Sequence, residues 1–340
     1  MKLLLAPMDS ITHQAFRNLV GRFGGCDEYF NEMINASSLL NDGPWEKFYL
    51  FEGPEPEKLV WQLTDKNGEK MAQAASVLAQ KGGIGVDLNM GCSAPQIANT
   101  GAGVAWMIKP VSETQAMVSG VKSALENAAK DGLAAKRLSV KLRLGDENFT
   151  PEKLFSFTDM LVSEGVQMLT LHPRTKKEKY REKPRWNFVE ELALRYPNIP
   201  VILNGAVKDK QSLEEAVKTA PHASGVMIAR AAVQKPWIFA QLRALSGLLT
   251  EQGQSNEISF DKIDCEQLAL DFISDVEEFQ PPEFWKTRLQ RFFAFYCLNF
   301  SFGHYFQTQM LNSKDNEDAR SRLKEYFTKC PDDKFLSVMA

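Results

Sequence analysis

Reactive side chains are scarce in this chain: five cysteines and four histidines among 340 residues. Cys92 has the most telling setting. It follows Asn89-Met90-Gly91 at the end of a short apolar run, and Pro95 limits the flexibility of the loop that comes next. Gly91 is expected to turn the chain sharply, which leaves a thiol at a strand end. A thiol with a pKa near 8.5 keeps its proton at neutral pH and can deliver it to carbon as a general acid. Cys26, Cys265, Cys297 and Cys330 read instead as small buried hydrophobes. No CxxC pair occurs, and no histidines or carboxylates have metal-ligand spacing, so no metal is expected.

Other apolar runs also end in directional polar groups. Gln62 and Lys141 can bond the carbonyl and ring-nitrogen edge of a flat heterocycle, and a lysine there would stabilise negative charge on a reduced flavin. His172 could hold a carbonyl of that ring or a substrate, whereas His13, His222 and His304 read as surface or capping residues. Asn204-Gly205-Ala206 and Ala229-Arg230 end the last two runs. Small residues there let backbone N–H groups approach a phosphate, and Arg230 can add a charge-assisted bond. Pro7-Met8-Asp9 ends the first run and Asn31-Glu32-Met33 the second. Gly101-Ala102-Gly103 lacks the third glycine and the preceding strand of a dinucleotide-binding turn.

Something must bring these ends together. The apolar runs are 3–6, 29–30, 59–63, 84–88, 138–142, 168–171, 201–203 and 226–228. They do not alternate with polar residues, as befits strands buried on both faces, and helical stretches separate them. Helices are expected over 68–80 and, with a Ser112 cap, over 112–125. Eight such strands in roughly 240 residues predict a (β/α)8 barrel, whose functional groups gather at the C-terminal strand ends. The expected barrel domain is 1–245, followed by a polar linker at 246–260 and a small helical domain at 261–340. Tail helices are expected over 260–279, 281–301 and 315–327. No run is long enough to span a membrane, and an odd cysteine count without a signal peptide points to the cytoplasm.

The motifs also fall into a known order. Ala6-Pro7-Met8-Asp9 with Phe16-Arg17, Asn31-Glu32-Met33, Gln62-Leu63, Val86-Asp87-Leu88-Asn89-Met90-Gly91-Cys92, Val140-Lys141-Leu142-Arg143-Leu144-Gly145, His172-Pro173-Arg174-Thr175, Pro200 to Gly205 and Gly225-Val226-Met227-Ile228-Ala229-Arg230 together resemble the tRNA-dihydrouridine synthase family. The resemblance covers about 1–240 motif by motif and the tail only in general character. It implies an FMN enzyme, reduced by NADPH, that passes hydride to C6 of a uridine in tRNA while Cys92 protonates C5. It also implies flavin contacts at Pro7, Met8, Gln62, Lys141, His172, Asn204, Gly205 and Arg230, with Asp9, Ala206 and Ala229 contacting through backbone. The chain departs from the family pattern at Ser93, Pro173, Ala229 and Ser10.

Charge bears on the RNA. The chain has 40 basic and 43 acidic residues, which excludes a uniformly basic coat but not a local stripe. Segment 174–185, RTKKEKYREKPR, holds seven basic residues and two glutamates, with Tyr180 and Trp186 beside them. Arg174, Lys176, Lys177 and Arg181 are therefore expected to meet phosphates, as are Lys286, Arg288 and Arg291 of the tail. A monomer is expected. The alternatives are an FMN barrel oxidoreductase acting on a small unsaturated substrate, and an RNA-binding module that keeps a flavin site without turnover.

Overall fold

Each of the eight apolar runs forms a strand. In the computed structural model, which describes residues 1–178, 181–247 and 261–338, these are β1 (Lys2–Leu5), β2 (Glu28–Phe30), β3 (Leu59–Thr64), β4 (Gly85–Met90), β5 (Arg137–Leu142), β6 (Met168–Leu171), β7 (Val201–Asn204) and β8 (Gly225–Ile228). All pair in parallel with their sequence neighbours, and β1 also pairs with β8. The sheet is thereby closed into a (β/α)8 barrel. The two-residue strand Ile34–Asn35 extends the edge of β3. Side chains fill the barrel interior: Leu4, Phe30, Val60, Met168, Ile202 and Met227 belong to one buried cluster. Below them Glu28 closes the N-terminal end, accepting from Arg137 Nη1 and Lys2 Nζ, each at 2.9 Å.

Around the barrel run α1 (Gln14–Gly21), α2 (Gly68–Ala79), α3 (Val111–Lys130), α4 (Pro151–Ser163), α5 (Asn187–Arg195), α6 (Lys210–Thr219), the short α7 (Arg230–Gln234) and α8 (Ile238–Ser246). The expected helix at 68–80 is present, capped by Asn67, whose side chain accepts from Lys70 N. Ser112 is not a cap. Pro110 holds that place and makes no side-chain bond, so α3 starts one residue before Ser112.

Beyond the barrel lie α9 (Cys265–Phe279), α10 (Pro282–Tyr296), α11 (Gly303–Leu311) and α12 (Asn316–Lys329). The expected first tail helix loses its start to a strand: Lys262–Asp264 pairs antiparallel with Phe335–Ser337, and Asp264 then caps α9. α11 was not legible because it buries only Phe306 and Met310. Of the expected linker, 248–260 lies outside the described residues.

The tail shares one apolar core with the barrel. Phe16 of α1 meets Phe272 and Phe292 at ring distances of 6.4 and 6.2 Å. Arg22 pairs with Asp271 at 2.9 Å and Asp275 at 2.6 Å. His13 does occupy the N-cap position of α1, but its side chain makes no capping bond; it is only 2% exposed and stacks on Phe272 rather than lying at the surface. The tail helix that covers it lies far away in the sequence, so nothing local announces the burial. His222 lies at the surface, bonded to Glu190, and His304 is exposed. Among the described residues no helix is long and apolar enough to cross a membrane.

Candidate active site

The C-terminal strand ends surround a cavity of about 830 Å³. Cys92 and all eleven expected cofactor residues line it: Pro7, Met8, Asp9, Gln62, Lys141, His172, Asn204, Gly205, Ala206, Ala229 and Arg230. Barrel closure does this, because every parallel strand delivers its last residues to the same rim.

Cys92 is held by backbone bonds. Asn89 Oδ1 accepts from Cys92 N at 2.9 Å and from Gly91 N at 3.2 Å. Arg143 Nε donates to Gly91 O at 2.8 Å. Gly91 does not supply the expected freedom, since a Cβ on it would make ordinary contacts at 3.4 Å or more. The glycine that matters is Gly103, at φ +59, where a Cβ would lie 2.6 Å from Cys92 O. Val104 N donates to that same carbonyl at 3.0 Å. Burial, the dominant influence, pushes the Cys92 thiol above its usual pKa, against the opposing pull of Lys141 and Arg143. The thiol therefore holds its proton at neutral pH, as a general acid must.

Gln62, Asn89 and Asp87 are linked by side-chain bonds beneath the cavity. Gln62 Nε2 donates to Asp87 at 2.8 Å, and Gln62 Oε1 accepts from Asn89 Nδ2 at 3.0 Å. Asp87 is 0% exposed and takes a second bond from Ser139 at 2.7 Å. Its pKa is pushed up to about 6 by burial. Lys141 is brought down to about 8, first by burial and then by Arg143. Sequence reasoning did not assign roles to Asp87, Asn89 or Arg143. The available signal was the alternation of Asp87 and Asn89 along an otherwise apolar strand, which puts both on the barrel's inner face.

His172 Nε2 lies 2.9 Å from Arg174 Nη1. A guanidinium only donates, so Nε2 accepts and the proton sits on Nδ1. Burial and then Arg143 and Lys141 hold the imidazole far below its ordinary pKa, so it stays neutral. Gly205, at φ +114, is packed as tightly as Gly103: a Cβ would lie 2.6 Å from His172 Cδ2. Ala206 follows in the same left-handed region at φ +64, and Ser10 adopts it at φ +61. Asn204 Nδ2 donates to Met227 O at 2.8 Å and ties β7 to β8.

The residues fit a flavin mononucleotide. Lys141 Nζ has no hydrogen-bond partner among the described residues, leaving its donors for a ring edge. Gly205, Ala206, Ala229 and Arg230 line the cavity at the β7 and β8 ends, where their backbones would hold a phosphate, and the absent Gly205 Cβ leaves room for the His172 ring. Gly205→Ala is expected to displace the His172 ring at a strain cost of about 1–3 kcal/mol, weakening FMN binding roughly tenfold or more. The flavin content of the purified variant, titrated with added FMN, measures this.

The expected phosphate contacts divide. Lys177, Arg181, Lys286 and Arg291 are exposed and Lys176 is half-buried; Arg291 also lines the cavity mouth with Phe295 and Leu298. Arg174 is not available to RNA. It is 4% exposed, and its Nε donates to Glu182 O while Nη1 holds His172. Arg288 is not available either. At 3% exposure it forms a bidentate pair with Glu32 at 2.8 and 2.9 Å. Trp186 is buried too, donating to Gly205 O at 3.1 Å under the phosphate cradle. Lys179 and Tyr180 lie outside the described residues.

A family model described as dihydrouridine synthase matches residues 4–281. The probable tRNA-dihydrouridine synthase of Aquifex aeolicus (strain VF5) is 33% identical over 245 residues, covering 71% of this chain and 72% of that protein. The probable tRNA-dihydrouridine synthase 2 of Bacillus subtilis (strain 168) is 26% identical over 336 residues, or 95% and 93% of the two chains. Among solved structures, morphinone reductase aligns with a TM-score of 0.48 and 12% identity over 74% of this chain and 87% of its own. A family match that runs from β1 past the end of α9 places this chain in the dihydrouridine synthase family, whose members are flavin-dependent oxidoreductases.

Proposed function

We propose that this protein reduces the 5,6 double bond of specific uridines in tRNA to dihydrouridine, with FMN as cofactor and NADPH as reductant. One observation carries the reading: the Cys92 thiol, whose pKa burial raises, lines the same cavity as the residues that fit a flavin. When bound, the flavin supplies the hydride for C6 of the uracil.

The chain's own residues do the rest. Cys92 gives its proton to C5 from the loop that Asn89 and Arg143 hold in place. Lys141 and Arg143 lower the cost of the thiolate left behind. Lys141, Gln62 and neutral His172 would hold the polar ring edge, and the β7 and β8 ends the phosphate. Met33 and Ala94 line the same cavity as Cys92 and narrow the space left for the base.

On this reading 1–245 is the catalytic domain and 261–340 the RNA-binding domain of a cytoplasmic monomer. Lys176, Lys177, Arg181, Lys286 and Arg291 meet tRNA phosphates, which makes binding weaken as salt rises. Mapping dihydrouridine by position in RNA from wild-type and deletion strains tests the function. Loss at defined tRNA positions, restored by the gene, is the expected result. Unchanged dihydrouridine in a strain without a redundant enzyme would leave the small-substrate oxidoreductase as the better reading.

A further inference from the structure

We propose that Asp87 is a positioning residue for the protonating thiol, acting through an ordered chain of two amides. The inference rests on Cys92 being the proton donor. The chain has one polarity. Backbone N–H groups can only donate, so Asn89 must turn its oxygen toward Gly91 and Cys92, at 3.2 and 2.9 Å. Its NH₂ group must then face Gln62, where Oε1 accepts at 3.0 Å. Gln62 in turn presents its own NH₂ group to residue 87 at 2.8 Å, and that residue has to accept. Asp87 accepts on both oxygens, the second bond coming from Ser139 at 2.7 Å.

Asp87 is 0% exposed, Gln62 2% and Asn89 8%, so an acceptor facing an acceptor between these side chains is costly. Without an acceptor at 87, Gln62 can flip, Asn89 can follow, and the Cys92 loop loses the bonds that fix its height over the cavity. Gln62 is one of the residues placed at the flavin edge, so the same chain ties the ring edge to the thiol.

A compensating pair of variants tests the polarity in the flavin-loaded protein. In Asn89→Asp the carboxylate still takes the loop N–H groups but faces the Gln62 oxygen. If Gln62 flips to answer it, its oxygen then faces Asp87. Turnover is expected to fall about 30-fold. Asp87→Asn keeps an acceptor, because its oxygen serves Gln62 while its NH₂ group turns to the Ser139 hydroxyl; the expected loss is about threefold. The double variant reverses both side-chain bonds: the amide introduced at position 87 donates to Gln62, and Gln62 donates to the carboxylate introduced at position 89. It is expected to recover at least about tenfold over Asn89→Asp alone. Additive losses would overturn the proposal.

Hydrogen exchange at the Gly91 and Cys92 amides supplies a readout independent of RNA. Exchange should speed about tenfold in Asp87→Ala and stay within about threefold of wild type in Asp87→Asn. Unchanged exchange in a folded Asp87→Ala protein would also overturn the proposal. If that variant does not fold, the compensating pair still decides. Failure of the functional reading shows separately, as a wild-type protein that forms no dihydrouridine.

Discussion

Replacing Cys92 by alanine is expected to slow uridine reduction by about 10²–10⁴-fold, the usual contribution of a positioned general acid. The variant should keep its flavin spectrum and its rate of flavin reduction by NADPH, because no assigned flavin contact passes through Cys92. It should also bind tRNA as tightly as the wild type, since the exposed basic residues are untouched. Single-turnover formation of dihydrouridine from pre-reduced enzyme isolates the step. A Cys92→Ala protein that forms dihydrouridine within a few-fold of the wild-type rate would exclude the thiol as the acid. Serine should rescue little. Its hydroxyl is a much weaker acid than a thiol, and burial already disfavours the anion of whatever group sits there.

The second large effect concerns stability. Arg288→Ala removes both guanidinium bonds to Glu32, which stays buried with the bond from Ser10 N at 2.8 Å. An uncompensated buried carboxylate costs about 3–5 kcal/mol. In a chain of this size that corresponds to a fall in Tm on the order of 10 °C. Lys286→Ala, on the exposed side of the same helix, should leave Tm alone and instead make tRNA affinity less salt-dependent, by about one unit of slope. The pair separates two roles that look alike in sequence. An Arg288→Ala protein with wild-type Tm and weakened tRNA binding would return Arg288 to the RNA surface. Replacing Glu32 and Arg288 together by apolar residues of similar volume should recover much of the lost stability, because it removes the stranded charge.

Lys286 and Arg288 show where sequence reading stops. Both are cations near the start of one helix with aromatic neighbours, and only the packing of α10 against the barrel turns Arg288 inward. Arg174 and Trp186 follow the same rule. They belong to a basic, aromatic segment, yet Trp186 is drawn under the rim by the Gly205 carbonyl, and Arg174 is held by His172, two residues before it, and by the Glu182 carbonyl where the loop folds back. His13 is buried by a helix that lies far away in the chain. The glycine that shapes the Cys92 loop is hidden for a similar reason. Gly91 adjoins Cys92 in sequence, but Gly103 is the residue whose missing side chain makes room for the Cys92 carbonyl.

What the sequence determined by itself is the barrel and its rim. Strands buried on both faces must be continuously apolar, so eight short runs are visible without knowledge of any contact. Parallel closure then sends every run's last residues to one end, so Cys92, Gln62, Lys141, His172, Asn204, Gly205 and Arg230 share a cavity however the helices pack. What only the tertiary structure decided is which charges face water and which amides face one another. Exposure and hydrogen-bond polarity are properties of pairs, and the partners here are as distant as Glu32 and Arg288 or Asp87 and Gln62. A local pattern carries the cost of leaving an apolar side chain in water, but it carries no record of the residue that will satisfy a buried charge.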